Sequence, residues 1–163
     1  MTSEALLFKQ LSFVRNRTNL ILETTSEELA DRMPNGFRNS IRWNAGHIFL
    51  TMDTLLYSFA GKEHYVPLSY FKLFQMNTSP AGWGSEPPNM DEIKGHLLDQ
   101  TDRIKKDFTG RLDEKIVKPF QIGDYKLDTL AEVLGFANWH EGLHQGVMNS
   151  IKRASGINDL WGK

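Results

Sequence analysis

Apolar residues recur at steps of three and four positions along four long stretches of the chain, and this period predicts four amphipathic helices. Residues that favour helix ends, such as an N-terminal Ser, Thr or Asn and a C-terminal Gly, bound most of these stretches. A short helical turn is expected at residues 26–30, between the first two long helices. The predicted long helices cover residues 3–23, 39 or 40–60, 90–110 and 129–154.

Two segments interrupt this helical pattern. Residues 64–88 are rich in proline, glycine and aromatic residues, and they predict a long crossover with one short helix near 68–75. Such a crossover either forms the wall of a pocket or simply packs against the helices. Residues 115–127 predict a weak hairpin or an extended loop. The pattern as a whole predicts an all-α fold, a four-helix bundle with a long crossover between its second and third helices, in one domain over residues 1–163.

The composition is that of an ordinary globular domain, with 40% hydrophobic and 24% charged residues. The 19 basic and 20 acidic residues give a net charge of −1, which predicts no general attraction to nucleic acid or to an anionic membrane. No apolar stretch approaches the roughly 18 residues that a membrane-spanning helix needs. The acidic Glu4 near the start argues against a signal peptide, so we expect a cytoplasmic protein.

The absence of cysteine narrows the chemistry that the chain can perform. It excludes a cysteine nucleophile and a metal site with cysteine ligands, and it is consistent with a reducing compartment. If the reaction uses a thiolate, that thiolate has to come from a cosubstrate.

The fourth predicted helix carries two histidines, His140 and His144, four positions apart. Residues at this spacing lie about 40° apart around the helix and about 6 Å apart along it, so both imidazoles can bind one metal ion. A buried imidazole needs a partner, which either a metal ion or neighbouring hydrogen-bonding groups can supply. The pair alone therefore leaves metal ligands and hydrogen-bonded core histidines both open. Both histidines share the inward apolar stripe with Val133, Ala137, Val147 and Ile151.

His47 is the candidate for a third ligand, because it lies in the second predicted helix on an inward stripe. The two positions before it hold small residues, which either let another helix approach closely or reflect ordinary packing. His64 lies in a loop and His96 in a charged helix, and we expect both to be exposed rather than to bind the metal. The other members of the His47 stripe are Trp43, Leu50 and Thr54.

The histidine pair also forms the motif His140-Glu141-x-x-His144, which zinc metalloproteases use with the glutamate as general base. In those proteases a third ligand commonly lies downstream, but residues 145–163 contain no His and no Glu. A di-iron site would need a second Glu-x-x-His, and no other glutamate has a histidine three positions later. Glu141 is therefore either a catalytic residue that orients a ligand or water or takes a proton, or a solvated residue on the helix flank.

Two short motifs carry a resemblance to a known family: Trp43-x-x-Gly46-His47 in the second predicted helix and His140-x-x-x-His144-Gln-Gly in the fourth. The sequence resembles the DinB-like superfamily, the damage-inducible metalloproteins of bacteria, from the first helix to about residue 156. The resemblance implies a divalent metal ion, zinc or nickel, held by His47, His140 and His144. It also implies an open coordination position for water or substrate.

Characterised members of that family include thiol-dependent transferases and isomerases that use low-molecular-weight thiols such as bacillithiol or mycothiol, and dimers are common among them. The resemblance thus implies a metal-dependent enzyme, a thiol-dependent S-transferase or a hydrolase, that acts on a small molecule and forms a homodimer. One alternative is a non-catalytic stress protein that binds a metal or another ligand. A second alternative is a helical interaction module without metal.

Overall fold

The computed structural model describes residues 2–162, which form six α-helices, a 3₁₀ turn and a two-stranded antiparallel sheet. The long helices begin and end within about two residues of the predicted positions. In chain order the elements are α1 (Ser3–Glu23), α2 (Glu27–Ala30), α3 (Ile41–Phe59), α4 (Leu68–Phe74), the 3₁₀ turn (Pro80–Gly82), α5 (Met90–Phe108), β1 (Lys115–Ile122), β2 (Tyr125–Thr129) and α6 (Leu130–Ala154).

Side-chain caps explain where the two helices that matter most for function begin. The hydroxyl of Ser40 accepts a hydrogen bond from the backbone N–H of Trp43 and so starts α3. At the start of α6, the Thr129 hydroxyl accepts from the Glu132 N–H, while the Glu132 carboxylate accepts from the Thr129 N–H. This reciprocal pair is the capping box that the sequence predicts.

The four long helices pack against one another pairwise: α6 lies against α1 and α3, and α5 lies against the same two helices. The first ten residues of α3 are all buried, which makes this helix the centre of the fold. Two apolar clusters form the core. One joins the start of α3 to α4 and the end of α6, and the other joins the end of α3 to α5, the sheet and the start of α6.

The fold is mostly helical, but the strict all-α class is wrong in one respect, because residues 115–129 form the two-stranded sheet. Gly123 starts the turn of this hairpin with a φ of +57°, a left-handed conformation that a side chain would strain. Phe120 of β1 anchors the hairpin, since its ring lies 5.3 Å from that of Phe59 in α3 and 5.1 Å from that of Phe136 in α6. The hairpin therefore lies against the first turns of α6, close to His140.

No helix among residues 2–162 is both long enough and apolar enough to cross a membrane.

Candidate metal centre

The structure brings together the three histidines that the sequence singles out. His47 of α3 faces His140 and His144 of α6, and one ring nitrogen from each lies within 4.8 Å of the other two. His47 is buried, while His140 and His144 are half-buried. The helical spacing places His140 beside His144, and the packing of α3 against α6 adds His47.

The orientation of the His144 ring is fixed by Asn44, one turn before His47 on α3. The Asn44 side-chain amide donates to the carbonyl oxygen of Ser40 at 2.7 Å, so its own oxygen points the other way. That oxygen lies 2.7 Å from Nδ1 of His144. Since an amide oxygen only accepts, Nδ1 of His144 carries the proton and Nε2 presents a lone pair.

The crossover orients the His47 ring in the same way. Nδ1 of His47 lies 2.6 Å from the carbonyl oxygen of Phe74, at the end of α4, and this oxygen can only accept. The approach of α4 depends on Gly46, because a Cβ atom there would lie 2.6 Å from the Phe74 ring. The small residue before His47 thus permits a close helix contact, which was one of the two explanations the sequence left open.

The Nε2 atoms of His140 and His144 face each other, and a ring nitrogen of His47 lies within 4.8 Å of a ring nitrogen of each. Nε2 of His144 lies 3.2 Å from Nε2 of His140, and Nε2 of His47 lies 3.3 Å from the Thr51 hydroxyl. Two lone pairs at 3.2 Å repel each other unless a proton or a cation lies between them. Zn–N bonds of about 2.0–2.1 Å in a tetrahedral site place two nitrogens roughly 3.3 Å apart. The donor set therefore fits a divalent ion that imidazoles bind.

Burial keeps these imidazoles in the neutral form that a metal requires. Desolvation, reinforced by the neighbouring histidines, lowers the pKa of His144 from 6.5 to about 3. Desolvation and the proximity of His47 lower the pKa of His140 to about 4, although the nearby Glu141 raises it slightly. Burial also lowers the pKa of His47, partly offset by its hydrogen bond to Phe74. All three rings are thus neutral at neutral pH, with one N–H and one lone pair each.

Trp43 forms one wall of the centre. Its indole stacks on the His47 ring with 4.6 Å between centroids and 13° between planes. The indole N–H donates to the Thr78 hydroxyl at 2.8 Å, and that hydroxyl donates to the carbonyl oxygen of Leu73. The crossover therefore holds both the ring of His47 and the aromatic group that covers it.

Glu141 points to a different side of α6 from the two histidines. Its carboxylate forms a two-pronged ion pair with the guanidinium of Arg15 on α1, at 2.9 and 3.0 Å, and accepts from the Thr18 hydroxyl at 2.6 Å. The side chains of Glu141 and Arg15 are 1% and 2% exposed. The solvated flank position is therefore wrong for Glu141. Its catalytic role stays a prediction, and these contacts occupy both of its oxygens.

The ion pair belongs to a longer buried polar network that links the four long helices. Arg15 donates to the Gln100 side-chain oxygen at 2.9 Å, and the Gln100 amide donates to Asp53 at 3.1 Å. Asp53 also accepts from Arg103 at 2.6 Å. Every charged group in this network has an oppositely charged or hydrogen-bonding partner within the chain.

The remaining two histidines lie apart from the centre, but the expectation that they are exposed is wrong. His96 is half-buried because its ring stacks on Phe49 at 4.9 Å. His64 is half-buried against Phe71, with 5.1 Å between ring centroids. Both rings pack on aromatic side chains of the core and neither joins the three-histidine cluster.

A protein-family model described as the DinB superfamily matches residues 10–148 of the chain, a segment that contains all three histidines. The chain belongs to the DinB superfamily. No curated protein matches this DinB chain. Membership and the three-histidine cluster are both compatible with metal binding.

Sequence reasoning missed three groups around the centre of this DinB protein. Asn44 and the Phe74 carbonyl orient the histidine rings, and Arg15 pairs with Glu141. Asn44 lies one turn before His47 on the same helix, and this spacing could have indicated that its side chain lies beside the histidines. The other two contacts join residues at least 27 positions apart in the chain, and no local pattern indicates them.

Proposed function

We propose that this protein is a metal-dependent enzyme that acts on a small molecule at the centre formed by His47, His140 and His144. The observation that carries the proposal is the pair of fixed tautomers. Asn44 and the Phe74 carbonyl accept the Nδ1 protons of His144 and His47, which leaves Nε2 of each ring as the possible ligand atom, and Nε2 of His144 lies 3.2 Å from Nε2 of His140. Histidine ligands of metals are commonly oriented by such hydrogen bonds at the second ring nitrogen.

The number of ligands favours catalysis over a purely structural role. Three protein ligands leave a coordination position for water or substrate, whereas structural zinc sites are closed by four. A bound zinc or nickel ion would lower the pKa of a coordinated water or thiol and so supply hydroxide or thiolate at neutral pH. The chain contributes neutral, oriented imidazoles and the wall formed by Trp43. Because it has no cysteine, we propose a low-molecular-weight thiol as cosubstrate of an S-transferase, or water in a hydrolase.

Metal content tests the site. We expect one zinc or nickel ion per chain after supplementation of the purified protein, measured by elemental analysis. The variant His144→Ala should bind at least about 100-fold more weakly, because it loses a direct ligand. His96→Ala is the matched control, since it removes a half-buried histidine outside the cluster and should keep full binding. Stoichiometric binding by His144→Ala would contradict the proposed site.

A non-catalytic role is the second candidate, and one observation favours it. The ligands come from α3 and α6, two helices that pack directly on each other, so a bound ion would tie them together. Transfer of a small thiol onto an electrophile by the metal-loaded protein, and its loss in His144→Ala, would support the enzyme. A panel of thiols and esters that gives no metal-dependent turnover, with one ion bound and an increased melting temperature, would favour the stabilising role.

We also propose that the four long helices form a single four-helix bundle, on the strength of the pairwise contacts among α1, α3, α5 and α6. The cytoplasmic location and the homodimer stay predictions. Cell fractionation tests the first, and sedimentation of the purified protein tests the second.

A further inference from the structure

An apolar cleft lies between the hairpin and α6, beside the metal centre. It has a volume of about 390 Å³ and is lined by Ile122 and Tyr125 from the turn of the hairpin and by Gly135, Phe136 and Trp139 from α6. The polar side-chain groups among the lining residues are the Tyr125 hydroxyl and the indole N–H of Trp139.

The lining side chains are exposed although they are large and apolar. Ile122 is 54% exposed, Tyr125 55% and Trp139 58%. Single exposed apolar residues are ordinary. Three that face one cleft form a surface on which the binding of an apolar group is favourable, because both surfaces are removed from water. Tryptophan and tyrosine also favour aromatic ligands, because their rings can stack.

Phe136 connects this cleft to the metal centre. Its ring lines the cleft and also lies against the ring of His140, with 6.4 Å between centroids and 26° between planes. On the other side it packs on Trp139 at 5.4 Å. The cleft and the histidine cluster are therefore separated by about the width of one side chain, that of Phe136.

We infer that the substrate carries an aromatic or branched apolar group, which binds in this cleft while its polar reacting end lies at the three histidines. The inference rests on the proposed function, because it needs a metal to hold the reacting end. It adds the chemical class of the substrate, which the metal ligands alone do not determine.

Two hydroxamates that share one metal-binding head test this inference on the zinc-loaded protein. Acetohydroxamate carries a methyl group, and 3-phenylpropionohydroxamate carries a phenyl ring on a short arm. Calorimetry should show the phenyl compound binding at least about tenfold more tightly, equivalent to about 1.4 kcal/mol. In Trp139→Ala this advantage should fall to about threefold or less, because one of the three aromatic side chains of the cleft is lost. Zinc content of the variant should be unchanged.

Leu143→Ala is the matched control, since Leu143 is 52% exposed on α6 one turn beyond Trp139 and does not line the cleft. It should retain the full advantage. Equal affinity of both hydroxamates, with zinc bound, would overturn the inference and leave the metal centre intact. Failure of both compounds to bind, with zinc present, would instead contradict the open coordination position on which the proposed function depends. A Trp139→Ala variant that keeps the advantage but changes sedimentation from dimer to monomer would reassign the cleft to contact between two copies.

Discussion

Helix α6 carries buried polar groups on two sides, and the two sets differ in how their polar atoms are satisfied. On the side of α1, Glu141 and Arg15 exchange two hydrogen bonds, and the network continues to Gln100. On the side of α3, His140 and His144 turn ring nitrogens towards each other at 3.2 Å. The first set has a charged partner within the chain, whereas the second is a group of neutral rings whose nitrogens lie close together without a charged partner.

The Glu141–Arg15 pair has the contacts of a structural group, whereas His140 and His144 have those of a candidate ligand site. Adjacent residues of one motif supply both. A buried charge is tolerated when partners in the protein compensate it, as Arg15 compensates Glu141. The imidazoles avoid the cost of charge by staying neutral, and their lone pairs then remain available for a cation. The motif His-Glu-x-x-His thus divides here between two histidines that face α3 and a carboxylate that binds Arg15 of α1.

The largest expected effect is on stability, when the buried ion pair between Glu141 and Arg15 is broken. Glu141→Ala would leave the guanidinium of Arg15 buried without its counter-charge, and we expect the free energy of unfolding to fall by about 3–5 kcal/mol. Urea unfolding of the metal-free protein measures this change. The double variant Arg15→Met with Glu141→Leu, which removes both charges, should recover most of the loss.

His140→Leu provides the contrasting measurement on the other side of α6. In the metal-free protein it should cost less than about 1 kcal/mol, because the ring's one hydrogen-bonding contact is to another histidine. If Glu141→Ala proved nearly as stable as the natural chain but lost turnover with the metal still bound, Glu141 would be catalytic rather than structural.

A smaller effect is expected when a histidine keeps its place but loses its orienting partner. Asn44→Ala removes the oxygen that accepts the Nδ1 proton of His144, and metal affinity should fall by about 10- to 100-fold. Competition with a chelator of known affinity measures this change. Asn138→Ala is the control, since this buried amide of α6 donates to Leu7 and Gln10 of α1, away from the histidines. Equal losses in both variants would show a general effect of packing.

The smallest effect, taken per pH unit, is the change of stability of the metal-free protein with pH. His140 and His144 have pKa values of about 4 and about 3 in the folded chain, below their ordinary value of 6.5, because of burial. Between pH 6.5 and about 4 the unfolded chain binds more protons than the folded chain, so stability should fall as the pH drops through this range. Each histidine contributes at most about 1.4 kcal/mol per pH unit, and solvent access reduces this figure.

The double variant His140→Gln with His144→Gln should flatten this part of the pH profile, as followed by thermal unfolding in metal-free buffers. A profile with the same slope in the natural chain and in the double variant would mean that other groups cause the acid sensitivity.

Local pattern determined much of this protein. The four long helices follow from apolar periodicity and end residues, because capping and amphipathic spacing act within a few positions of the chain. The same locality places His140 and His144 on one face, since four positions make about one helical turn. It also predicted the crossover and, as one of two outcomes, the hairpin. The prediction that His64 and His96 are exposed was wrong, because the rings of Phe71 and Phe49 pack on them, and Phe49 lies 47 positions before His96.

Only the tertiary structure decided what surrounds these residues. The sequence could offer His47 as a candidate, but the packing of α3 on α6 brought it to the other two histidines. The partner of Glu141 lies 126 positions away on α1, and the carbonyl that orients His47 lies 27 positions away, beyond a crossover whose path Gly46 permits. Helical period determines which residues share a face. Whether a face of α6 carries a satisfied ion pair or joins a cluster of neutral imidazoles depends on which helix it packs against.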